Sequence, residues 1–236
     1  MKNRVVLFAL FIISVFVFSC EEKKDFLYSI SPWVKYGSLT DIEGNTYKSI
    51  IIGNQTWMVD NLTTTTLNDG TEIPLVKDAG LWDILSTPAA CWQNNDPARK
   101  VTYGVLYNWY TVNTGKLCPK GWHVPGEDEW DEMINFLGGD NVAGGKLKES
   151  YFSHWRSPNS EASDITHFRA LPGGERLKGS YELFDNLGSS GSWWTTESIE
   201  DLASERSMYY NNSRVQKSFR PKKSGLSVRC VSDATP

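Results

Sequence analysis

Hydrophobic residues recur with a helical period in one segment of the chain. Four apolar side chains fall at positions i, i+3, i+4 and i+7, namely Trp130, Met133, Ile134 and Leu137. This spacing forms the single apolar stripe of an amphipathic helix. Acidic residues occupy 127–129, where the helix dipole favours negative charge, and two glycines follow at 138 and 139. The pattern predicts a helix over residues 127–137.

Shorter patterns predict a second helix and several strands. Val105, Leu106 and Trp109 share one face of a possible helix over residues 103–110. Residues 47–52 are rich in β-branched side chains, and Gly53-Asn54 then gives a hairpin turn into residues 55–59. Further strand candidates lie at 168–171, 192–195, 207–210 and 226–231. Two helices in the first half, followed by a meander of strands, predict an α+β domain.

The first twenty residues predict an export signal. Lys2 and Arg4 precede an apolar run over residues 5–18, which is too short to span a bilayer of about 30 Å as a permanent helix. The run ends Ser19-Cys20, which resembles the cleavage and acylation site of a bacterial lipoprotein. We therefore expect a signal peptide over 1–19 and a lipid on Cys20. The alternatives are ordinary signal cleavage beside an incidental cysteine and an uncleaved membrane anchor.

Charge and composition narrow the class of protein. The chain has 236 residues, 40% of them hydrophobic, with 10 each of Trp, Tyr and Phe, which allows a packed core. Loss of Lys2 and Arg4 leaves 22 basic against 28 acidic residues, a formal charge of −6. The basic excess of a nucleic-acid-binding protein is absent. The charged run after Cys20 predicts a tether over 20–40, and no linker divides residues 41–233, which we interpret as one domain.

Several ordered motifs resemble one family. They are DIEGNTY at 41–47, IGNQTWM at 52–58, YGVLYNW at 103–109, CPKGWHVP at 118–125, LPGG at 171–174, WWTT at 193–196 and SVRCV at 227–231. In this order they resemble the Fibrobacter succinogenes major paralogous domain, over residues 41–233. That family occurs in exported bacterial proteins, often lipoproteins, and is similar to the C-type-lectin-like superfamily. The resemblance implies a C-type-lectin-like fold, with two helices packed on short, mostly antiparallel strands joined by long loops.

The resemblance also implies a disulfide bond. Three cysteines remain after Cys20, so at most one intrachain pair forms among them in an oxidising compartment. Lectin-like folds often tie the region ahead of the main helix to a C-terminal strand, and Cys118 and Cys230 occupy such places. We expect a Cys118–Cys230 bond with Cys91 as a buried thiol. The alternative is that all three thiols are buried and reduced.

A ligand face is expected on a long loop, because lectin-like folds build that face from variable loops on a rigid scaffold. The longest stretch without a regular pattern covers residues 151–166. It offers a stacking face, a bidentate donor and several acceptors: Phe152, His154, Trp155, Arg156, Asn159, Glu161 and Asp164. We expect Trp155 and Arg156 to be accessible beside a concavity, with Trp92 and Tyr210 as further ligand-binding candidates.

Catalytic and metal-binding patterns are sparse. The three histidines form no H-E-x-x-H or H-x-H motif, and no G-x-S-x-G motif occurs. His123 could join Glu127 or Cys118 at a metal, or it could be hydrogen-bonded beneath the start of the helix. The polar stretches 93–96 and 160–164 offer oxygen ligands for calcium or are simply polar loops. We expect no metal, no cofactor and no catalysis.

The C-terminal region carries an excess of positive charge. Seven basic residues and no acidic residue fall between Arg206 and Arg229. This segment could meet an anionic polysaccharide or lipopolysaccharide, or it could be balanced by acidic residues elsewhere in the fold.

Together these patterns predict a lipid-anchored protein of the bacterial cell envelope, at the outer membrane or cell surface. We expect its domain to bind a glycan or an envelope protein without catalysis and without nucleic acid. Two alternatives remain. One is an enzyme of the formylglycine-generating type, although only Cys230 stands where those enzymes carry a cysteine pair. The other is a structural subunit of an envelope assembly.

Overall fold

The predicted hairpin lies within the larger sheet of the protein. The computed structural model describes residues 35–151, 153–179 and 183–236. The signal peptide, Cys20 and Phe152 lie outside the described residues. In the described part the fold is mixed, with few helices and with antiparallel sheets that form a curled half-barrel. No helix in this part is long and apolar enough to cross a membrane.

The elements follow one another in chain order and most are short. The strands are β1 Gly37–Thr40, β2 Thr46–Ile52, β3 Gln55–Met58, β4 Ala90–Cys91, β5 Leu106–Tyr107, β6 Trp122–His123, β7 Glu175–Arg176, β8 Phe184–Asp185, β9 Ser190–Ile199, β10 Leu202–Tyr209, β11 Val215–Pro221 and β12 Val231–Ser232. The α-helices are α1 Ala79–Ile84, α2 Lys100–Tyr103, α3 Trp109–Val112, α4 Glu127–Phe136 and α5 Asp140–Leu147. Single 3-10 turns occupy Gln93–Asn95 and Pro97–Arg99.

Two sheets organise these strands. The five-stranded sheet has the order β1-β2-β3-β12-β6, so the C-terminal strand β12 lies between β3 and β6. The three-stranded sheet has the order β11-β10-β9, and two strand pairs, β4-β5 and β7-β8, complete the described strands. The predicted hairpin β2-β3 and the predicted strands within β9 and β10 are confirmed.

Helix α4 packs its predicted apolar stripe into an aromatic core. Trp130, Met133 and Ile134 are buried, and the Trp130 ring lies 5.0 Å from the Trp57 ring and 6.0 Å from the Phe168 ring. Trp193 of β9 adds a further ring, 6.4 Å from Phe168. These contacts join α4 to both sheets, and the predicted helix is confirmed with its end at Phe136 rather than 137.

The predicted helix over 103–110 is wrong. Helix α2 ends at Tyr103 because Gly104 has φ of +80° and its Cα lies against Asn61, where a Cβ would come within 2.7 Å of the Asn61 Cβ. Leu106 and Tyr107 then form β5, which pairs with Ala90–Cys91, and α3 begins only at Trp109. Val105, Leu106 and Trp109 are buried as expected, but Leu106 lies in β5 and Trp109 in α3, so they do not share one helix.

Three further predictions need correction. Residues 168–171 form no strand, because His167 and Arg169 adopt positive φ of 56° and 54°. Of residues 226–231, only Val231 lies in a named strand, β12. Residues 37–40, predicted as part of the tether, form β1, in which Leu39 alone is buried and gives no periodic signal.

The disulfide prediction is confirmed. Cys118 and Cys230 are bonded, with their Cα atoms 6.0 Å apart, and the bond joins the loop before β6 to the segment before β12. Cys91 is a buried free thiol, and burial raises the pKa of this thiol to about 11.

Removing the disulfide should destabilise the protein strongly. The bond closes a loop with a sequence separation of 112 residues. We expect the Cys118→Ala/Cys230→Ala variant to lose about 4–5 kcal/mol in free energy of unfolding, by the chain-entropy relation. Chemical denaturation with and without reductant measures this. The Cys91→Ala variant should keep the wild-type sensitivity to reductant, and an unchanged denaturation midpoint in the double variant would contradict the prediction.

Candidate functional site

Trp155 is not an accessible stacking platform. Its side chain is 2% exposed, and its Nε1 donates a hydrogen bond to the Ala170 carbonyl at 2.9 Å. The prediction that Trp155 is accessible beside a concavity is therefore wrong. The residues flanking it explain the error: His154 is half-buried and Arg156 is exposed, so the local sequence looks polar although the indole points inward.

A buried lysine holds this loop in place. Lys148 has no measurable exposure, and its Nζ donates to the carbonyls of Ser160, Tyr209 and Asn212 at 2.8–3.0 Å. The ammonium also lies 5.4 Å from the centre of the Trp155 ring. Burial lowers the pKa of Lys148 to about 8. The predicted ligand loop is thus part of the scaffold near Trp155.

The remaining predicted ligand residues are dispersed. Arg156 is exposed, as predicted, and its side chain lies beside Gly188. Trp92 is half-buried, packs against the main core and carries the Lys77 ammonium 5.4 Å from its ring centre. Tyr210 is half-buried after β10. The two cavities described next are lined by other residues.

A polar cavity of about 570 Å³ lies between β2, the segment after β3, and helix α2. Its lining includes Asn45, Asp60, Asn61, Lys100, Val101 and Thr102. The predicted loop does approach this cavity, because the His154 ring packs edge-on to Tyr103, with ring centres 5.7 Å apart. Tyr103 lies between two cavity-lining residues of the chain.

The floor of this polar cavity is fixed by Asn61. Its Oδ1 accepts hydrogen bonds from Trp193 Nε1 at 2.9 Å and from Arg229 Nε at 2.8 Å. Its Nδ2 donates to the Tyr103 carbonyl at 2.8 Å. Because these bonds use both ends of the amide, Asn61 is held in one orientation and connects the cavity to the core.

The wall of the polar cavity is a second hydrogen-bond network. The Tyr47 hydroxyl donates to Asp41 Oδ2 at 2.6 Å and accepts from the Thr63 backbone N–H at 3.1 Å. Burial is the main cause that raises the pKa of Tyr47 well above its ordinary value. The hydroxyl therefore stays protonated and keeps its bond to Asp41.

The rim of the polar cavity offers groups without internal partners. Among the described residues, Lys100 Nζ, the Thr102 hydroxyl and Asp60 Oδ1 make no hydrogen bond or ion pair within the protein. Val101, between two of them, is 89% exposed. The rim thus combines a cation, a hydroxyl, a carboxylate oxygen and an apolar surface, none of which the sequence analysis singled out.

A second cavity of about 400 Å³ forms an acidic cleft at the start of α4. His123 lies at this cleft between two carboxylates: its Nε2 is 2.7 Å from Glu129 Oε1, and its Nδ1 is 2.5 Å from Asp233 Oδ1. The hydrogen bond with Glu129 is the main cause that raises the pKa of His123 to about 9, and burial opposes the rise. The imidazole is therefore a cation at neutral pH.

The acidic cleft does not assemble the metal site that the sequence left open. His123 contacts Glu129 rather than Glu127, and Cys118 is committed to the disulfide, so it offers no thiolate. Across the residues described in the structure, no group of three or more His, Cys, Asp or Glu side chains is arranged to hold a metal ion. His123 instead joins the start of α4 to the C-terminal segment.

The basic residues of the C-terminal region are balanced within the fold. Arg206 Nη2 lies 2.6 Å from Asp131, Lys217 pairs with Glu127, and Arg220 Nη2 lies 3.3 Å from Glu175. Lys223 donates to the Asp83 carbonyl, and Arg229 is buried. Of the two interpretations of this segment, internal balance by acidic residues is therefore confirmed for three of its seven basic residues, Arg206, Lys217 and Arg220.

Comparison with known proteins gives one match. A family model described as the Fibrobacter succinogenes major domain matches residues 50–232. Neither a curated protein nor a solved structure is significantly similar to the chain.

The His123 imidazole should titrate far above the ordinary histidine range. In the folded protein the pKa of His123 is about 9, above the ordinary 6.5. The protonated ring therefore stabilises the folded state fully below about pH 6.5, and this stabilisation is lost as the pH rises through 9. NMR titration of the ring measures the pKa directly. Asp233→Asn should lower it, because one carboxylate partner is removed. A wild-type ring that titrates near pH 6.5 would show that the two carboxylates do not hold the proton.

Proposed function

The chain belongs to the Fibrobacter succinogenes major domain family, and from that premise we propose that it is a lipid-anchored recognition protein of the bacterial cell envelope. Its ligand in this proposal is a glycan, bound without catalysis at the polar cavity. The observation that carries the proposal is a difference in hydrogen bonding between the floor and the rim of that cavity. The floor at Asn61 is saturated with internal hydrogen bonds, whereas the rim at Lys100, Thr102 and Asp60 keeps unpartnered groups.

The chemistry of the rim matches a ligand rich in hydroxyl groups. A sugar hydroxyl both donates and accepts hydrogen bonds, so it can bind a carboxylate such as Asp60, an ammonium such as Lys100 and a hydroxyl such as Thr102. The exposed Val101 side chain offers a surface for the apolar C–H face of a ring. A volume of about 570 Å³ lies within the usual range of small-molecule sites.

A fixed floor supports recognition because it limits the entropy lost on binding. Asn61 is anchored by Trp193, Arg229 and Tyr103, so the cavity keeps its shape without a ligand. The rim side chains are the part that must order when a ligand binds.

Two further parts of the proposal concern fold and location. We propose a C-type-lectin-like fold, which the antiparallel sheets and the bond from Cys118 to Cys230 support. The same bond supports an exported protein, since disulfides persist in oxidising compartments. The Ser19-Cys20 pattern supports the lipid anchor.

Binding rather than cysteine chemistry is supported by the state of the cysteines. Cys118 and Cys230 are joined to each other and are 3% and 0% exposed, while Cys91 is buried with a raised pKa. A nucleophilic cysteine needs an accessible thiolate, which none of these three provides.

A glycan array with purified residues 21–236, which lack the signal peptide and the lipid-bearing Cys20, tests the ligand class. We expect binding to at least one glycan, and Lys100→Ala should weaken it about tenfold, the scale of one lost charge-assisted hydrogen bond. The exposed Lys120 lies elsewhere, so Lys120→Ala is the matched control and should bind like wild type. Equal binding by the Lys100→Ala variant, with an unchanged melting temperature, would exclude the polar cavity as the site. Binding to an envelope protein but to no glycan would overturn the ligand class.

The lipid anchor is tested separately from the ligand. Cys20→Ala in the full chain should release the protein from the membrane fraction or leave the precursor uncleaved, because the acylated residue is lost. Metabolic labelling with a fatty acid and cell fractionation measure both effects. Membrane-bound, unlabelled protein of mature size from this variant would refute the anchor.

A further inference from the structure

A cluster of buried polar groups lies between the three-stranded sheet and strand β7. We call it the carboxylate chamber and define it by Glu175, Glu205 and Arg220 with three serines, Ser190, Ser192 and Ser207. The register of β9 and β10 places Ser192 opposite Ser207, and Glu205 lies two residues before Ser207 on the same face. Glu175 enters from β7, and β11 contributes Arg220.

The two carboxyl groups of the chamber share one cation. Glu175 and Glu205 are 1% and 0% exposed. Arg220 Nη2 lies 3.3 Å from Glu175 Oε1, and Arg220 Nε lies 3.5 Å from Glu205 Oε1. With both carboxyl groups ionised, the chamber would carry a net charge of −1. Because an unbalanced buried charge is costly, one bound proton that makes the chamber neutral is favoured.

Hydrogen bonding distinguishes the two carboxyl groups. Glu175 Oε1 accepts a hydrogen bond from Asn186 Nδ2 at 3.0 Å and another from Arg220 Nη2 at 3.3 Å. Neither oxygen of Glu205 has a hydrogen-bond partner of normal geometry among the described residues. The Glu205 carboxylate is therefore supported more weakly than that of Glu175, by Arg220 at 3.5 Å and by the Ser192 and Ser207 hydroxyl groups, none of them in normal hydrogen-bond geometry.

The serines provide acceptors for a carboxylic acid. The hydroxyl groups of Ser190, Ser192 and Ser207 are buried and meet no partner in normal hydrogen-bond geometry among the described residues, although Ser192 and Ser207 lie close enough to Glu205 to act on its carboxyl group. A protonated Glu205 gains an O–H donor, and a serine oxygen can accept its hydrogen bond. The chamber is thus better satisfied when Glu205 carries a proton.

Other charged groups around the chamber do not change this balance. Arg176 follows Glu175 in β7, but its guanidinium donates to the Val76 carbonyl, on the side of Trp82. Arg206, the neighbour of Glu205 in β10, pairs with Asp131 of α4. The Tyr209 hydroxyl acts on Arg220. Arg220 remains the one cation of the described residues that acts on Glu205.

We propose that Glu205 holds a proton in the folded protein up to neutral pH, and that its loss above neutral pH weakens the packing of β7 on the three-stranded sheet. Burial is the main cause that raises the pKa of Glu205 to about 7; Glu175 adds to the rise, while Arg220 and, more weakly, the Ser192 and Ser207 hydroxyl groups oppose it. The folded pKa thus exceeds the ordinary value of 4.5. The stabilising effect is complete below about pH 4.5 and is lost as the pH rises through 7.

The test compares the pH dependence of unfolding with and without Glu205. We use a His123→Gln/Asp164→Asn background, since His123 also contributes a pH dependence between about 6.5 and 9, and Asp164, whose pKa burial raises to about 6, contributes another at lower pH. In this background the unfolding equilibrium constant should rise at least about tenfold between pH 5 and pH 8. Glu205→Gln should remove that rise and stabilise the protein at pH 8.

A matched control variant shows whether the pH dependence is specific to Glu205. Glu197 also has a buried oxygen without a partner, but the residue is only half-buried and has no carboxyl neighbour in the chamber, so Glu197→Gln should keep the rise. An equal pH dependence in the Glu205→Gln variant and its background would overturn the proposal.

Infrared spectroscopy keeps the proposal testable if Glu205→Gln fails to fold. Among the described residues, Asp164 is the other carboxyl group with a raised pKa, at about 6 because of burial. The Asp164→Asn variant should therefore still show the carbonyl band of one protonated carboxylic acid at pH 6. Absence of this band in the folded variant would overturn the proposal.

Discussion

Backbone carbonyl groups outside the helices and strands are satisfied by three fully buried cations, and the rest of the fold depends on this interaction. Many segments between the short elements are buried, and a buried carbonyl needs a hydrogen-bond donor. Arg229 donates to the carbonyls of Phe168 and Arg169, Arg176 donates to three carbonyls of one other loop, and Lys148 donates to two loop carbonyls and to that of Tyr209 at the end of β10. One side chain therefore fixes a loop at several points, which a ladder of two-residue strands could not do.

Aromatic faces make these buried cations tolerable. The guanidinium of Arg176 lies 4.1 Å from the centre of the Trp82 ring, and that of Arg229 lies 4.2 Å from Phe168. A cation over an aromatic face is attracted to the ring, and this attraction offsets part of the hydration free energy that burial removes. Burial still lowers the pKa of Arg229 to about 9, which shows the cost that the carbonyls and rings offset. The high tryptophan content is thus a property of the scaffold.

Features set by local sequence patterns could be predicted, whereas contacts between a loop and a buried cation from a distant element could not. The α4 stripe and the β2-β3 hairpin were predictable, because local periodicity and turn residues determine them. The disulfide followed from family resemblance. Helix α5 was missed because Gly144 and Gly145 weaken its pattern; the fold needs them where a Cβ would meet the carbonyls of Arg214 and Glu161 within 2.7 Å. Trp155 was misassigned because its partner, Lys148, belongs to another element and no local pattern marks a lysine as buried.

The polar cavity inherits its rigidity from this scaffold. Arg229 donates to the carbonyls behind the aromatic core and, through Nε, to Asn61 in the cavity floor. The floor therefore cannot move without breaking contacts of a buried cation, whereas Lys100 and Thr102 on the short helix α2 make no side-chain bond within the described residues. Substitutions at the rim can therefore change the polar groups that line the cavity and leave the floor intact. If the proposed glycan binds here, the rim would set specificity, and a floor that is already ordered would limit the entropy lost on binding.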